Sequence, residues 1–209
     1  MAIEVEVLDL GINNLASLCR GLVVAGALGL RTVAAESESR GADLLVLPGV
    51  GAYGAAIDEL KSRGLDGVVQ NHVASGGFLF GVCLGMQLLG SASEESPEVV
   101  GLGLIPGQVR KLVPSPTTRV PNMGWNGVRA TDKAEEFPTL HQQLDFYFVH
   151  SYAMEPDSEH DVLITSEFGG SSFVSGVLRD KILGLQFHPE KSSRAGNRLL
   201  ADVVAWAHG

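Results

Sequence analysis

The chain is poor in charge, in cysteine and in aromatic rings. Asp, Glu, Lys and Arg make up 19% of its 209 residues and aromatic residues 6%; charged residues usually reach ~25%. Lys and Arg number 15 against 24 Asp and Glu, a formal charge of −9. A general nucleic-acid binder carries a basic face, so no nucleic-acid partner is expected. Two cysteines, Cys19 and Cys83, build neither a disulfide framework nor a four-thiolate zinc site, and no metal or other cofactor is expected. The start, Met1-Ala2-Ile3-Glu4, lacks the basic and apolar segments of a secretory signal. The uncharged stretch from Gly67 to Ser93 holds Gln70, Asn71, Ser75, Gln87 and five glycines before Met86, so it fails as a membrane span. The expected compartment is the cytoplasm, with no membrane partner.

Hydrophobic residues make up 45% of the chain. Its length suits one domain, 1–209, able to bury roughly 70% of its unfolded surface without staples. Gly is abundant, 26 residues, which signals tight turns and close backbone approaches.

Ile3, Val5 and Val7 alternate with Glu4 and Glu6, the period of a strand. A turn over Asp9 to Asn14 leads to helical spacing at Leu15, Leu18, Cys19 and Leu22, continuing to about Leu28, with Asn14 as the N-cap. Arg31 to Ala35 reads as a short strand. Leu44-Leu45-Val46-Leu47 and Phe78-Leu79-Phe80-Gly81-Val82 are unbroken apolar runs, as in strands covered on both faces. Helices are expected over Ala52–Arg63, Leu65–Ala74 and Leu84–Leu89. This alternation predicts a parallel sheet with helices on both faces. The second half reads as strands at Gln108–Val113, Trp125–Ala130, Asp145–Tyr152, Val162–Glu167, Phe173–Leu178 and Ile182–Phe187, then a helix over Ser193–Ala207.

Three segments carry chemistry. Gly81-Val82-Cys83-Leu84-Gly85 sits between a buried strand and a helix, so Cys83 occupies a sharp turn relieved by glycines. That is the nucleophile-elbow arrangement with sulfur for hydroxyl, and the free N–H groups of the following helix favour thiolate. With 26 glycines in 209 residues, chance gives this pattern about 0.03 times. Cys19 falls on the apolar face of the first helix and reads as core. Gly184-Leu185-Gln186-Phe187-His188-Pro189-Glu190 ends the last apolar strand and supplies a base, His188, with an orienting carboxylate, Glu190. Leu47-Pro48-Gly49-Val50-Gly51-Ala52-Tyr53-Gly54 follows a buried strand, and its backbone N–H groups can meet an oxyanion. It also matches the dinucleotide fingerprint through Gly49, Gly51 and Gly54. That fingerprint normally follows the first strand, and it would leave the Cys, His and Glu set unexplained.

Together these segments resemble the class I, triad-type glutamine amidotransferases over nearly the whole chain. Met86 after the elbow, Val50 in the glycine loop, Val120-Pro121-Asn122-Met123-Gly124-Trp125-Asn126, Gly101 to Gly107, Phe146 to Tyr152, and Gln186 to Ser192 are similar to the glutaminase subunits of imidazole glycerol phosphate synthases. The resemblance implies a single α/β domain with a mixed, mostly parallel, flavodoxin-like sheet flanked by helices. It implies Cys83 as nucleophile, His188 as base and Glu190 as its orienter. The oxyanion is assigned to N–H groups of Leu84 and of the Val50–Gly51 segment. Gly49, Gln87, Glu95, Tyr147, His150 and Ser151 match positions around the substrate glutamine. It further implies a (β/α)₈-barrel cyclase partner in a heterodimer, met by Asn14, Met123, Trp125, Asn126 and Lys191. Two departures stand out: Asn122 where the family usually has His, and Asn13 where it has a second Gly. A glutaminase serving another synthase, a stand-alone thiol-dependent amide hydrolase, and a binding protein on an inactive amidotransferase fold are the other readings.

Overall fold

The computed structural model describes residues 3–11, 15–116 and 118–209. The expectations on Asn13 and Asn14 lie outside these residues. The first half alternates as the periodicity predicts, through β1 (Glu4–Leu8), α1 (Leu15–Val24), β2 (Gly29–Val33), β3 (Leu44–Gly49), α2 (Tyr53–Ser62), α3 (Leu65–Ala74), β4 (Phe78–Cys83) and α4 (Leu84–Leu88). There follow β5 (Ala92–Ser93), β6 (Gly107–Lys111), β7 (Asn122–Gly127), β8 (Arg129–Ala130), β9 (Asp145–His150), β10 (Tyr152–Pro156), β11 (Val162–Phe168), β12 (Ser171–Arg179), β13 (Ile182–Leu185) and α5 (Ser193–Trp206).

The main sheet has eight strands in the order β2-β1-β3-β4-β13-β12-β11-β8. β2, β1, β3, β4 and β13 pair in parallel, and β12, β11 and β8 continue antiparallel. The parallel part has the flavodoxin-like order, whose direction reverses between β1 and β3. Ligands of such sheets bind beyond the carboxyl ends of the strands at that reversal. Two smaller sheets, β10-β6-β5 and β7-β9, complete the fold.

The apolar runs are explained by two covered faces. Leu44 and Val46 of β3 join Leu18 and Leu22 of α1 and Leu199, Leu200 and Val203 of α5. Leu45 and Leu47 join Ile57 and Leu60 of α2 and Leu65 and Val69 of α3. Even Glu6 of β1 is buried. Burial alone would raise its carboxyl; hydrogen bonds from the Arg40 N–H, the Ser39 hydroxyl and Arg31 outweigh that and hold it below the usual range.

Several boundaries differ from the periodicity. α1 stops at Val24 rather than near Leu28 because Gly26 takes φ 110°. The N–H groups of Gly26 and Ala27 then close on the carbonyls of Val23 and Leu22, a Schellman cap. The segment Trp125–Ala130 divides into β7, paired with β9, and β8, paired with β11. The segment Asp145–Tyr152 breaks at Ser151, and the chain changes sheets to pair β10 with β6. Among the described residues no helix is long and apolar enough to cross a membrane.

Candidate active site

Cys83 ends β4 and caps α4 with φ 55° and ψ −110°. A residue with a side chain holds such a backbone at a cost of about 1–3 kcal/mol, so the surroundings must enforce it. Glycines let them close in. A Cβ on Gly85 would lie 1.8 Å from the Leu47 carbonyl oxygen, and one on Gly81 would lie 2.9 Å from the Gly85 backbone. Gly49 stands opposite Cys83 in the β3–β4 register, and its Cβ would meet that of Leu84 at 2.8 Å.

His188 follows β13, the parallel neighbour of β4. Its N–H donates to the Tyr147 carbonyl at 2.9 Å. The buried Ser192 hydroxyl donates to the His188 carbonyl at 2.6 Å and accepts from the Tyr147 N–H at 2.9 Å. The 3₁₀ turn Pro189–Lys191 then brings Glu190 Oε1 to 2.8 Å from His188 Nδ1, with the two side chains 4% and 3% exposed. Burial alone would lower the imidazole pKa. The neighbouring Cys83 and the Glu190 carboxylate outweigh it and push the ring up to about 9. The shift favours the protonated imidazolium ring at neutral pH.

Cys83 and His188 share a cleft of about 290 Å³ with Val50, Gly51, Leu84, Gln87, Glu95, His150 and Ser151. These come from the loop after β3, from α4, from the loop after β5 and from the carboxyl end of β9. Gly51 has φ 101°, a conformation open to glycine. Gln87 donates from Nε2 to the Tyr152 carbonyl at 2.9 Å and to Gln186 Oε1 at 3.0 Å. Glu95 lines the cleft and accepts from the Tyr53 N–H at 2.8 Å, capping α2. That carboxylate occupies the helix end where the dinucleotide fingerprint would hold a phosphate, which removes the nucleotide reading of Gly49, Gly51 and Gly54. His150 is 6% exposed. Its Nδ1 lies 2.8 Å from the Tyr152 carbonyl and its Nε2 3.0 Å from Asn122 Nδ2. Burial lowers its pKa to about 4, helped by the charge of His188 and opposed by the Tyr152 carbonyl.

Two residues expected around the substrate do not line this cleft. Tyr147 is turned toward Trp125, with ring centroids 6.0 Å apart, and serves the site through its backbone. Gly49 lines a smaller space of about 30 Å³ behind His188 and Glu190, where its lack of a side chain is what matters. Of the expected partner-facing residues, Met123 is 63% and Trp125 51% exposed, and Lys191 is exposed too. Asn126 turns its amide inward to Asn122 Oδ1 at 2.9 Å. Sequence reasoning missed Gln186, whose Nε2 donates to Cys83 Sγ at 3.7 Å; the signal was a lone amide at the end of an apolar strand. Among the described residues no cluster of three His, Cys, Asp or Glu could hold a metal ion.

The family model for glutamine amidotransferase class-I matches residues 6–206. The chain is 40% identical over 201 residues to the imidazole glycerol phosphate synthase subunit HisH of Chlorobium luteolum, covering 96% of this chain and 98% of that one. It is 38% identical over 201 residues to the protein of the same name from Synechocystis sp., covering 96% and 95%. A crystal structure of a glutamine amidotransferase shares the fold at a TM-score of 0.76 and 21% identity, over 98% of this chain and 99% of that one.

Proposed function

The chain belongs to the class-I glutamine amidotransferase family, and on that premise we propose that it is the glutaminase subunit of an imidazole glycerol phosphate synthase in histidine biosynthesis. It hydrolyses the side-chain amide of glutamine to glutamate and passes the ammonia to its partner subunit. The observation that carries this reading is the meeting in one cleft of Cys83 on its elbow with His188, whose Nδ1 is held by Glu190. Residues 1–209 form its single amidotransferase domain.

Cys83 gives its thiol proton to His188 Nε2, its sulfur attacks the amide carbon, and the carbonyl π electrons move to oxygen. The N–H of Leu84 and one from the Val50–Gly51 segment meet that oxyanion. His188 delivers the proton from Nε2 to the leaving nitrogen, ammonia departs, and a thioester remains on Cys83. Water then gives a proton to His188 and adds to the thioester carbon, and collapse releases glutamate and the cysteine. Glu190 holds Nδ1 throughout, so Nε2 stays directed to the reacting atoms. Gln87 spends its amide hydrogens on Tyr152 and Gln186, which leaves its carbonyl oxygen to accept from the substrate ammonium. The reaction uses no cofactor.

The partner in this reading is a (β/α)₈-barrel cyclase, which joins the nitrogen to a ribonucleotide to give imidazole glycerol phosphate and an aminoimidazole carboxamide ribonucleotide. Exposed Met123 and Trp125 on β7 support docking there, since large exposed apolar side chains mark interaction surfaces. The test is co-elution of the purified chain with such a cyclase, followed by glutamate release with and without the cyclase and its nucleotide. The liganded cyclase should raise the rate strongly, because uncoupled ammonia wastes glutamine. Equal rates would favour a stand-alone hydrolase.

A further inference from the structure

We infer that Gln186 is a further catalytic residue, whose side-chain N–H stabilises the Cys83 thiolate. The amide is fully buried, and its orientation follows from its partners. The Tyr152 carbonyl and Gln186 Oε1 both accept from Gln87 Nε2, at 2.9 and 3.0 Å. A backbone carbonyl only accepts, so Gln87 must present its nitrogen there, and Gln186 must present its oxygen to Gln87. The nitrogen of Gln186 is thereby turned to Cys83 Sγ, at 3.7 Å. Position also follows from topology. The backbone N–H of Gln186 binds the Ser175 carbonyl at 2.9 Å, just past the pairing of Leu185 with Val82 in the β13–β4 register. Gln186 thus lies beside the carboxyl end of β4, where the elbow begins.

A neutral donor held beside sulfur strengthens as the thiol becomes thiolate, because hydrogen bonds to charged groups are the stronger ones. Its contribution is separate from that of His188, whose ring exchanges protons during turnover, whereas the amide stays a donor throughout.

The importance of this contact for turnover rests on the role of Cys83 given above, but the contact itself is tested without turnover. The readout is the alkylation rate of Cys83 by iodoacetamide at neutral pH, in a Cys19→Ala background. Gln186→Glu keeps the shape and the acceptor for Gln87 but sets a carboxylate beside sulfur. Gln186→Met keeps the length and removes the N–H. Alkylation should slow about ten- to a hundredfold in Gln186→Met and more in Gln186→Glu, as expected for losing one hydrogen bond to a charged group. In the complex with the cyclase, kcat for glutamate release should fall in step, with KM for glutamine little changed. Alkylation at the wild-type rate in either folded variant overturns the inference. So does a raised KM with kcat preserved, since Gln186 would then shape the cleft rather than the sulfur. Slowed alkylation with unchanged glutamate release would support the contact and count instead against Cys83 as the nucleophile.

Discussion

His150 Nε2 accepts a hydrogen bond from the side-chain amide of Asn122 at 3.0 Å, across a directly paired position of β7 and β9. The Tyr152 carbonyl, 2.8 Å from Nδ1, only accepts, so the ring carries its proton on Nδ1. Asn126 donates to Asn122 Oδ1 at 2.9 Å and keeps the Asn122 nitrogen facing the ring. A second proton on Nε2 would meet an N–H, and the ring would also become a charge near His188. His150 is therefore a neutral wall of the cleft, oriented from the same strand that carries Met123 and Trp125.

This arrangement makes stability fall in acid. The imidazole of His150 goes from about 6.5 unfolded to about 4 folded, so its neutral form contributes stability above 6.5 that is lost as pH falls toward 4. His188 is shifted the other way, to about 9; its contribution is complete below 6.5 and is lost as pH rises through 9. Thermal midpoints should therefore peak near neutrality. Asn122→Asp offers Nε2–H a carboxylate and raises the His150 midpoint, so the acid loss between pH 6.5 and 4 should shrink. An unchanged acid slope in Asn122→Asp would contradict the assigned tautomer.

Gly85→Ala should destabilise the chain by about 3 kcal/mol, the upper end for overpacking, because the new Cβ falls 1.8 Å from the Leu47 carbonyl oxygen in a packed interior. Gly67 lies within α3 and a Cβ there meets nothing within 4 Å. Gly67→Ala should stabilise by about 0.5–1 kcal/mol. Urea unfolding of both variants checks the pair, and equal effects would remove the steric account of the elbow.

Lys191 is exposed beside the triad turn, with its N–H bound to the His188 carbonyl at 3.0 Å. Truncating one member of a desolvated interfacial ion pair costs about 2–5 kcal/mol, against ~0.2–1 kcal/mol for an exposed pair. Lys191→Ala should weaken cyclase affinity by the larger amount and leave the residual activity of the isolated chain intact. Titration calorimetry and glutamate release measure the two. Lost activity with unchanged affinity would make the lysine part of the triad region instead.

Much of this was legible in the sequence because it is local. The elbow needs glycines within two residues of Cys83, and Glu190 needs only a turn after His188. The unbroken runs of β3 and β4 already imply two covered faces. What could not be read depends on which strand meets which. Asp145 to Tyr152 is almost continuously apolar and aromatic, so its phase is hidden; only pairing with β7 turns Tyr147 toward Trp125 and His150 toward Asn122. The Asn122 departure from the family pattern was visible, but not the ring it holds. Gln186 was visible too, yet its donor to sulfur depends on an amide orientation set by Gln87, which is 99 residues away in the chain.

Glutamate release by the Cys83→Ala variant, in complex with the cyclase and its nucleotide, tests the central claim most directly. Cys19→Ala is the control, since that residue packs against the core in α1 and burial pushes its thiol up. With Cys83 as the nucleophile, Cys83→Ala should bind the cyclase, unfold at the wild-type temperature within a few degrees and release no glutamate above background, while Cys19→Ala turns over nearly as the wild type does. Sustained glutamate release from Cys83→Ala would contradict the thioester mechanism and the site built around it.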